Sequence, residues 1–263
     1  MDLGLRGRVA LIAGSSRGLG RAVAEELAAE GAQLVLTARG ESALRETASE
    51  IERAHGVRVV AVPADLGDAS SVDQLIAVAL DTFGQVDVLV TNTGGPPAGS
   101  FESLPHQAWQ DASRNLLESV LLLTRPLLAG MKARRWGRII NVTSITAKQP
   151  VENLILSNSL RAAVTGFART LANEIAPFGV TVNNVLPGYT RTQRVEELAA
   201  KNAELRGTDS AAAFAGWERE IPMGRLGDPR EFAATVAFLA SERASYVTGQ
   251  SIAVDGGWIR SIV

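Results

Sequence analysis

Short runs of apolar and β-branched residues alternate with segments of helical periodicity along this chain, and that rhythm limits the fold more than any other feature. The runs are Val9–Ala13, Gln33–Thr37, Val57–Val62, Val86–Thr91, Arg138–Val142, Thr181–Leu186 and Ser251–Val254. Between them apolar side chains recur at helical spacing. Val72, Leu75, Ile76, Ala79, Leu80 and Phe83 fall at i, i+3, i+4, i+7, i+8 and i+11, a stripe that faces a core. Asp228-Pro229 reads as an N-cap followed by proline at the first helical position, opening a helix with Phe232, Val236 and Leu239 on its inner face. Strand–helix alternation of this kind implies an α/β fold, a doubly wound parallel sheet of about seven strands with helices on both faces.

The 263 residues are expected to form one domain, 1–263, with no internal repeat or linker. One long connection, Tyr189 to Pro222, breaks the rhythm. Ligands of open α/β sheets sit beyond the carboxyl ends of the strands, so this segment (189–222) is a candidate substrate lid. Its Val195, Leu198, Phe214 and Trp217 suggest a small-molecule substrate with an apolar portion. The formal charge of −2 carries no basic stripe, and neither nucleic acid nor a membrane surface is an expected partner. The apolar stretch Leu116–Met131 is interrupted by Glu118, Arg125 and Pro126, which suits a buried helix rather than a membrane span of about 20 uncharged residues. The cytoplasm is the expected location. Cysteine is absent, and His55 and His106 stand alone, so no metal site is expected.

The first strand runs directly into Gly14-Ser15-Ser16-Arg17-Gly18-Leu19-Gly20, and a helix with Leu19, Val23 and Leu27 on one face follows. Glycines at a strand-to-helix turn let backbone N–H groups approach a pyrophosphate, which rests on the positive end of the helix. This is the arrangement of a Rossmann-type dinucleotide site, with the spacing G-x-x-x-G-x-G. About 20 residues further on, NAD sites place a carboxylate against the ribose 2′-hydroxyl, whereas NADP sites place an arginine near the 2′-phosphate. Here the second strand ends Thr37-Ala38-Arg39, with no acid before Glu41. Arg39, with Arg17 in the glycine turn, favours NADP(H) over NAD(H). Asp65-Leu66 follows the third strand, where it either meets the adenine or caps the next turn.

Together these segments resemble the short-chain dehydrogenase/reductase family, in particular its 3-oxoacyl-acyl-carrier-protein reductases, over nearly the whole chain. Asn92-Thr93-Gly94-Gly95 resembles the family's N-x-G segment. Gly137-Arg138-Ile139-Ile140-Asn141-Val142-Thr143-Ser144 resembles the strand that delivers the catalytic serine. Asn115 stands where the resemblance places a structural and catalytic asparagine. Pro187-Gly188, with Thr190 and Thr192, resembles the loop that holds the nicotinamide carboxamide. Ser245-Tyr246-Val247-Thr248-Gly249-Gln250 and Val254-Asp255-Gly256-Gly257 resemble its C-terminal signature. The resemblance implies a homotetramer or homodimer, joined through the helix after the serine strand.

The family's central motif is Y-x-x-x-K on that helix. Its spacing puts the tyrosine at the position of Ser157 and the lysine at that of Arg161. Realignment does not restore it. The only tyrosines are Tyr189 and Tyr246, the only lysines Lys132, Lys148 and Lys201, and no pair has the spacing. A phenol, with a pKa of about 10, exchanges a proton with the substrate oxygen; an aliphatic hydroxyl is far less acidic. Arginine stays charged and cannot relay a proton as lysine can, though it can donate to the nicotinamide ribose. The expectation is therefore an NADP(H)-binding oxidoreductase acting on a carbonyl or hydroxyl, with an altered centre of Asn115, Ser144, Ser157 and Arg161. Tyr189 and Lys148 are alternative proton donors, or packing and solvated side chains respectively. Two other readings stand beside it. One is a cofactor-binding sensor or partner subunit without turnover. The other is a dehalogenating branch, which pairs serine and tyrosine with arginine but abandons the glycine turn retained here.

Overall fold

The computed structural model describes residues 2–262, and at 205 and 206 the backbone only. Seven parallel strands form one sheet, β1 (Val9–Ala13), β2 (Gln33–Ala38), β3 (Val59–Pro63), β4 (Val88–Thr91), β5 (Gly137–Val142), β6 (Val180–Pro187) and β7 (Ser251–Val254), in the order β3-β2-β1-β4-β5-β6-β7. Every pairing is parallel. The order reverses between β1 and β4, which opens a crevice above their carboxyl ends.

The helices are α1 (Gly18–Ala29), α2 (Glu41–His55), α3 (Ala69–Phe83), α4 (His106–Ser113), α5 (Ser119–Arg134), α6 (Ile155–Ile175), α7 (Gln193–Arg206), α8 (Ser210–Glu220) and α9 (Pro229–Ala240). The pleat of β1 sorts them into two layers. Ala10 and Ile12 pack with Leu27, Leu44, Ile51, Phe232 and Val236 of α1, α2 and α9. Val9, Leu11 and Ala13 face Leu75, Ile76, Leu127, Ala168 and Leu171 of α3, α5 and α6. Because both faces are covered, β1 is buried throughout.

Local signals set the helix ends. Asp228 caps α9 in a capping box with Glu231, and Pro229 opens the helix. On α3, Val72, Leu75, Ile76 and Ala79 are buried, while Leu80 is exposed at the stripe's edge. Two strands start two residues later than the sequence expectation, and the other strand boundaries agree to within one residue. β3 begins at Val59 rather than Val57, and β4 at Val88 rather than Val86. Before β4 the buried Asp87 carboxylate accepts from the Val9 amide at 3.0 Å, a side-chain bond where a strand would continue its ladder. The apolar stretch expected as one helix over Leu116–Met131 also divides. A π-helical turn at Arg114–Glu118 joins α4 to α5, and Pro126 sits inside α5. No helix among the described residues is long and apolar enough to cross a membrane.

The segment from Tyr189 to Pro222 carries α7 and α8. Tyr189 stacks on Trp217 at 4.6 Å, with Trp258 and Phe214 edge-on to the pair. Val195 and Phe214 pack in one cluster with Ile145, Ile221, Leu226 and Trp258, and Trp217 meets it through its ring contacts with Tyr189 and Phe214. These side chains of the segment thus pack against one another and against Ile145 and Trp258.

Candidate dinucleotide and active site

At the end of β1, Gly14 has φ +61°, and a Cβ there would meet the Asn92 carbonyl oxygen at 2.7 Å. A Cβ on Gly20 would collide with the Gly14 carbonyl oxygen and lie 2.8 Å from Asn92 Nδ2. Only glycine lets α1 start this close to the strand. Ser15 ties the turn to β2, its Oγ accepting from the Thr37 amide at 3.1 Å. Asn92 Nδ2 donates to the Gly14 carbonyl at 3.3 Å from the β4 side. α1 has no side-chain N-cap and no acid in its first turn. Its leading N–H groups, from Gly18 and Leu19 onward, therefore face a crevice that suits an anion. Ser16 lies in the same turn, its carbonyl accepting from Thr47.

Arg39 follows β2 directly and is exposed, with no bonding partner among the described residues. Arg17 is engaged differently, its Nη1 donating to Gln193 Oε1 at 2.8 Å. That links the glycine turn to the first residue of α7. Asp65 closes the turn before α3, accepting from the Gly67 amide at 3.0 Å, while Leu66 packs against the α3 side of the core. Gly94 is open, with nothing within 4 Å of a Cβ placed there. Pro187 ends β6, and the Gly188 amide donates to the Val254 carbonyl at 3.0 Å. Thr190 is buried and bridges to Gly227, whereas Thr192 caps α7 and approaches Gly18.

Beyond β4 and β5 a second group of polar side chains assembles. Ser144 caps a short turn, its Oγ accepting from the Thr146 amide at 3.2 Å. Thr146 Oγ1 lies 3.0 Å from Ser157 Oγ, and both residues are buried. One turn along α6, Arg161 is 7% exposed. It donates from Nη1 to the Val142 carbonyl at 2.8 Å and from Nη2 to the Thr93 carbonyl at 3.4 Å. Burial pushes the guanidinium down to about 10. Its Nε has no partner, nor do the buried hydroxyls of Thr93 and Thr143. Buried polar atoms are normally satisfied, so orphans gathered at the strand ends mark where a polar ligand fits. A nicotinamide ribose, with its hydroxyls, matches that donor set.

The structure brings Ser144, Ser157 and Arg161 together, but not Asn115. Asn115 is exposed on the π-helical turn, donates to the Asp111 carbonyl at 2.8 Å and faces Gly67. Its side chain is not among the hydrogen-bond partners of Ser144, Ser157 or Arg161. The neighbouring Leu116 is buried against Ala112 and Leu156 instead. Tyr189 is also an unsuitable acid, since burial, with Glu220 adding to it, raises its phenol to about 12. Sequence reasoning missed Thr146 and Gln193, which carry no motif and reach the site through long-range packing, and gave Thr93 no role within the N-x-G segment.

A doubly wound sheet with a glycine turn at its switch point and an uncapped helix behind it defines the Rossmann-type dinucleotide-binding class. Within that class, the family profile described as enoyl-(acyl carrier protein) reductase matches residues 13–259. A 3-oxoacyl-[acyl-carrier-protein] reductase of Vibrio cholerae is 37% identical over 255 residues, covering 97% of this chain and 98% of the relative. L-sorbose reductase from Gluconobacter frateurii, solved with NADPH and L-sorbose, superposes with a TM-score of 0.95 at 35% identity over 100% of both chains. A variant of actinorhodin polyketide ketoreductase, solved with NADPH, has a TM-score of 0.93 at 33% identity, over 97% of this chain and 98% of its own. This chain belongs to the short-chain dehydrogenase/reductase family, among its reductases.

Proposed function

We propose that this protein is an NADP(H)-dependent reductase of a carbonyl group on a substrate with an apolar portion, working through an altered proton-donating centre. The observation that carries the reading is the unpaired Arg39 guanidinium at the end of β2, where no carboxylate stands. A 2′-phosphate there would receive charge-assisted, bidentate hydrogen bonds. NADPH in the structures of two relatives supports the same cofactor. Gly14, Ser16, Gly18, Leu19 and Gly20 would hold the pyrophosphate, and Asp65 and Leu66 would border the adenine. Asn92 and Gly94 would line the ribose side, with Arg161, Pro187, Gly188, Thr190 and Thr192 around the nicotinamide. Bound there, the cofactor supplies hydride.

Ser144, Thr146 and Ser157 would hydrogen-bond the substrate oxygen, but none is a strong acid. Turnover without a positioned acid is expected to be slower by about 10²–10⁴ than with one. The segment 189–222 acts as the lid of a single domain, and a second copy of the chain is the expected partner. Calorimetric titration tests the cofactor. NADPH should bind about 10- to 100-fold more tightly than NADH, the range expected of a hydrogen-bonded charge pair. Arg39→Ala should remove most of that difference. NADPH oxidation across a panel of carbonyl compounds then tests turnover, and equal affinity for the two cofactors would sink the assignment.

A further inference from the structure

We infer that Arg161 makes this site distinguish the redox state of its cofactor, holding NADPH more tightly than NADP+. The inference rests on the dinucleotide reading above and adds a property of its far end. The strand order carries the first step. Arg39 follows β2 and the glycine turn follows β1, so a dinucleotide extended across the switch point ends over β4 and β5. Arg161 is anchored there, on the Val142 carbonyl that closes β5 and the Thr93 carbonyl just past β4.

The second step is the charge balance. Both anchors are neutral carbonyls, Nε is unpartnered, and no carboxylate among the described residues makes an ion pair with Arg161. The polar side chains at the same strand ends, those of Thr93, Thr143, Ser144 and Thr146, and Ser157 one turn away on α6, are neutral hydroxyls. A full positive charge is therefore buried without compensation, where the effective dielectric is far below that of water. The two redox states share adenosine, phosphates and riboses and differ in the charge of one ring. The oxidised ring is cationic and the reduced ring neutral. Repulsion from Arg161 raises the free energy of the oxidised complex alone. A phenol at position 157 could ionise and offset that repulsion; the Ser157 hydroxyl cannot. The consequence is a site that loads NADPH and releases NADP+ readily, while hydride transfer out of the bound cofactor becomes less downhill.

Titration calorimetry on the folded full-length chain tests this with three probes, NADPH, NADP+ and 2′,5′-ADP, the last lacking the nicotinamide. NADPH should bind at least about tenfold more tightly than NADP+, equivalent to about 1.4 kcal/mol. Arg161→Lys should keep the ratio. Arg161→Gln should narrow it to within about threefold while leaving 2′,5′-ADP affinity unchanged. If the glutamine variant does not fold, Arg161→Met serves as the second neutral replacement. Equal affinity for NADPH and NADP+ in the parent, with 2′,5′-ADP still bound, overturns the inference and leaves the cofactor assignment standing. A folded neutral variant that keeps the parent ratio overturns it as well. Failure of the folded parent to bind any of the three overturns the cofactor assignment, and the inference with it.

Discussion

Among the residues whose side chains are described, two arginines are buried, at opposite ends of β5, and their surroundings differ in kind. Arg138, at the amino end, is 2% exposed. Its Nε donates to the Ser241 carbonyl, and its Nη1 to the carbonyls of Gly137 and Gly179. Glu242 lies 3.8 Å from its Nη2, and its guanidinium lies 4.4 Å from the ring centroid of Trp136. Arg8 stacks on the same indole and pairs with the same glutamate. Arg161, at the carboxyl end, has two carbonyls and, among the described residues, no counter-charge. A compensated buried cation closes off structure, whereas an uncompensated one keeps capacity for a ligand. The two ends of one strand thus separate scaffold from site. Burial alone would not have told them apart.

The largest expected effect sharpens the chemistry at the carboxyl end. Ser157→Tyr combined with Arg161→Lys restores a phenol and a relay-capable amine one helical turn apart. If the surrounding hydroxyls keep a reductase geometry, the rate on an activated ketone should rise by about 10²–10⁴. NADPH binding and circular dichroism establish first that the double variant is folded and loaded. A loaded variant no faster than the parent would mean that the centre is not a weakened reductase.

The second expectation could break the comparison of the two arginines outright. Arg138→Met should destabilise the protein by about 3 kcal/mol, the lower end for a broken buried pair, because Glu242 is itself half-exposed. Arg161→Met, measured without cofactor, should cost less than half as much, since it also relieves an uncompensated charge. Chemical denaturation of both variants gives the comparison directly. Equal losses would show that Arg161 is as structural as Arg138.

The smallest effect concerns the remaining phenol near the lid. With its pKa raised to about 12 by burial and by Glu220, Tyr189 is expected to pack rather than donate a proton. Tyr189→Phe should therefore change kcat by less than about twofold. A loss of tenfold or more in steady-state assays would return Tyr189 to the centre as its acid.

Much of this architecture was legible in the sequence. Apolar runs located all seven strands, because a strand buried on both faces leaves a continuous local signature, and the half-buried edge strands β3 and β7 remain apolar along most of their length. The glycine turn was equally clear, since a carbonyl oxygen standing where a Cβ would go permits no other residue at Gly20. The positions of the tyrosines and lysines excluded a Y-x-x-x-K motif anywhere in the chain. Less legible was where Asn115 points. The π-helical turn at Arg114–Glu118 spaces its hydrogen bonds one residue wider than an α-helix, with Leu116 buried and the Asn115 side chain exposed.

What the sequence determined by itself was what short-range physics records: strand runs, helix caps, the glycine turn, and which residue types are present at all. The tertiary structure alone decided which hydroxyl meets Ser157, why Gln193 holds Arg17, and that Arg138 has a counter-charge while Arg161 has none. Those outcomes depend on side chains that approach from distant segments. Charge compensation is a property of a volume, and a linear text lists its contents without placing them together.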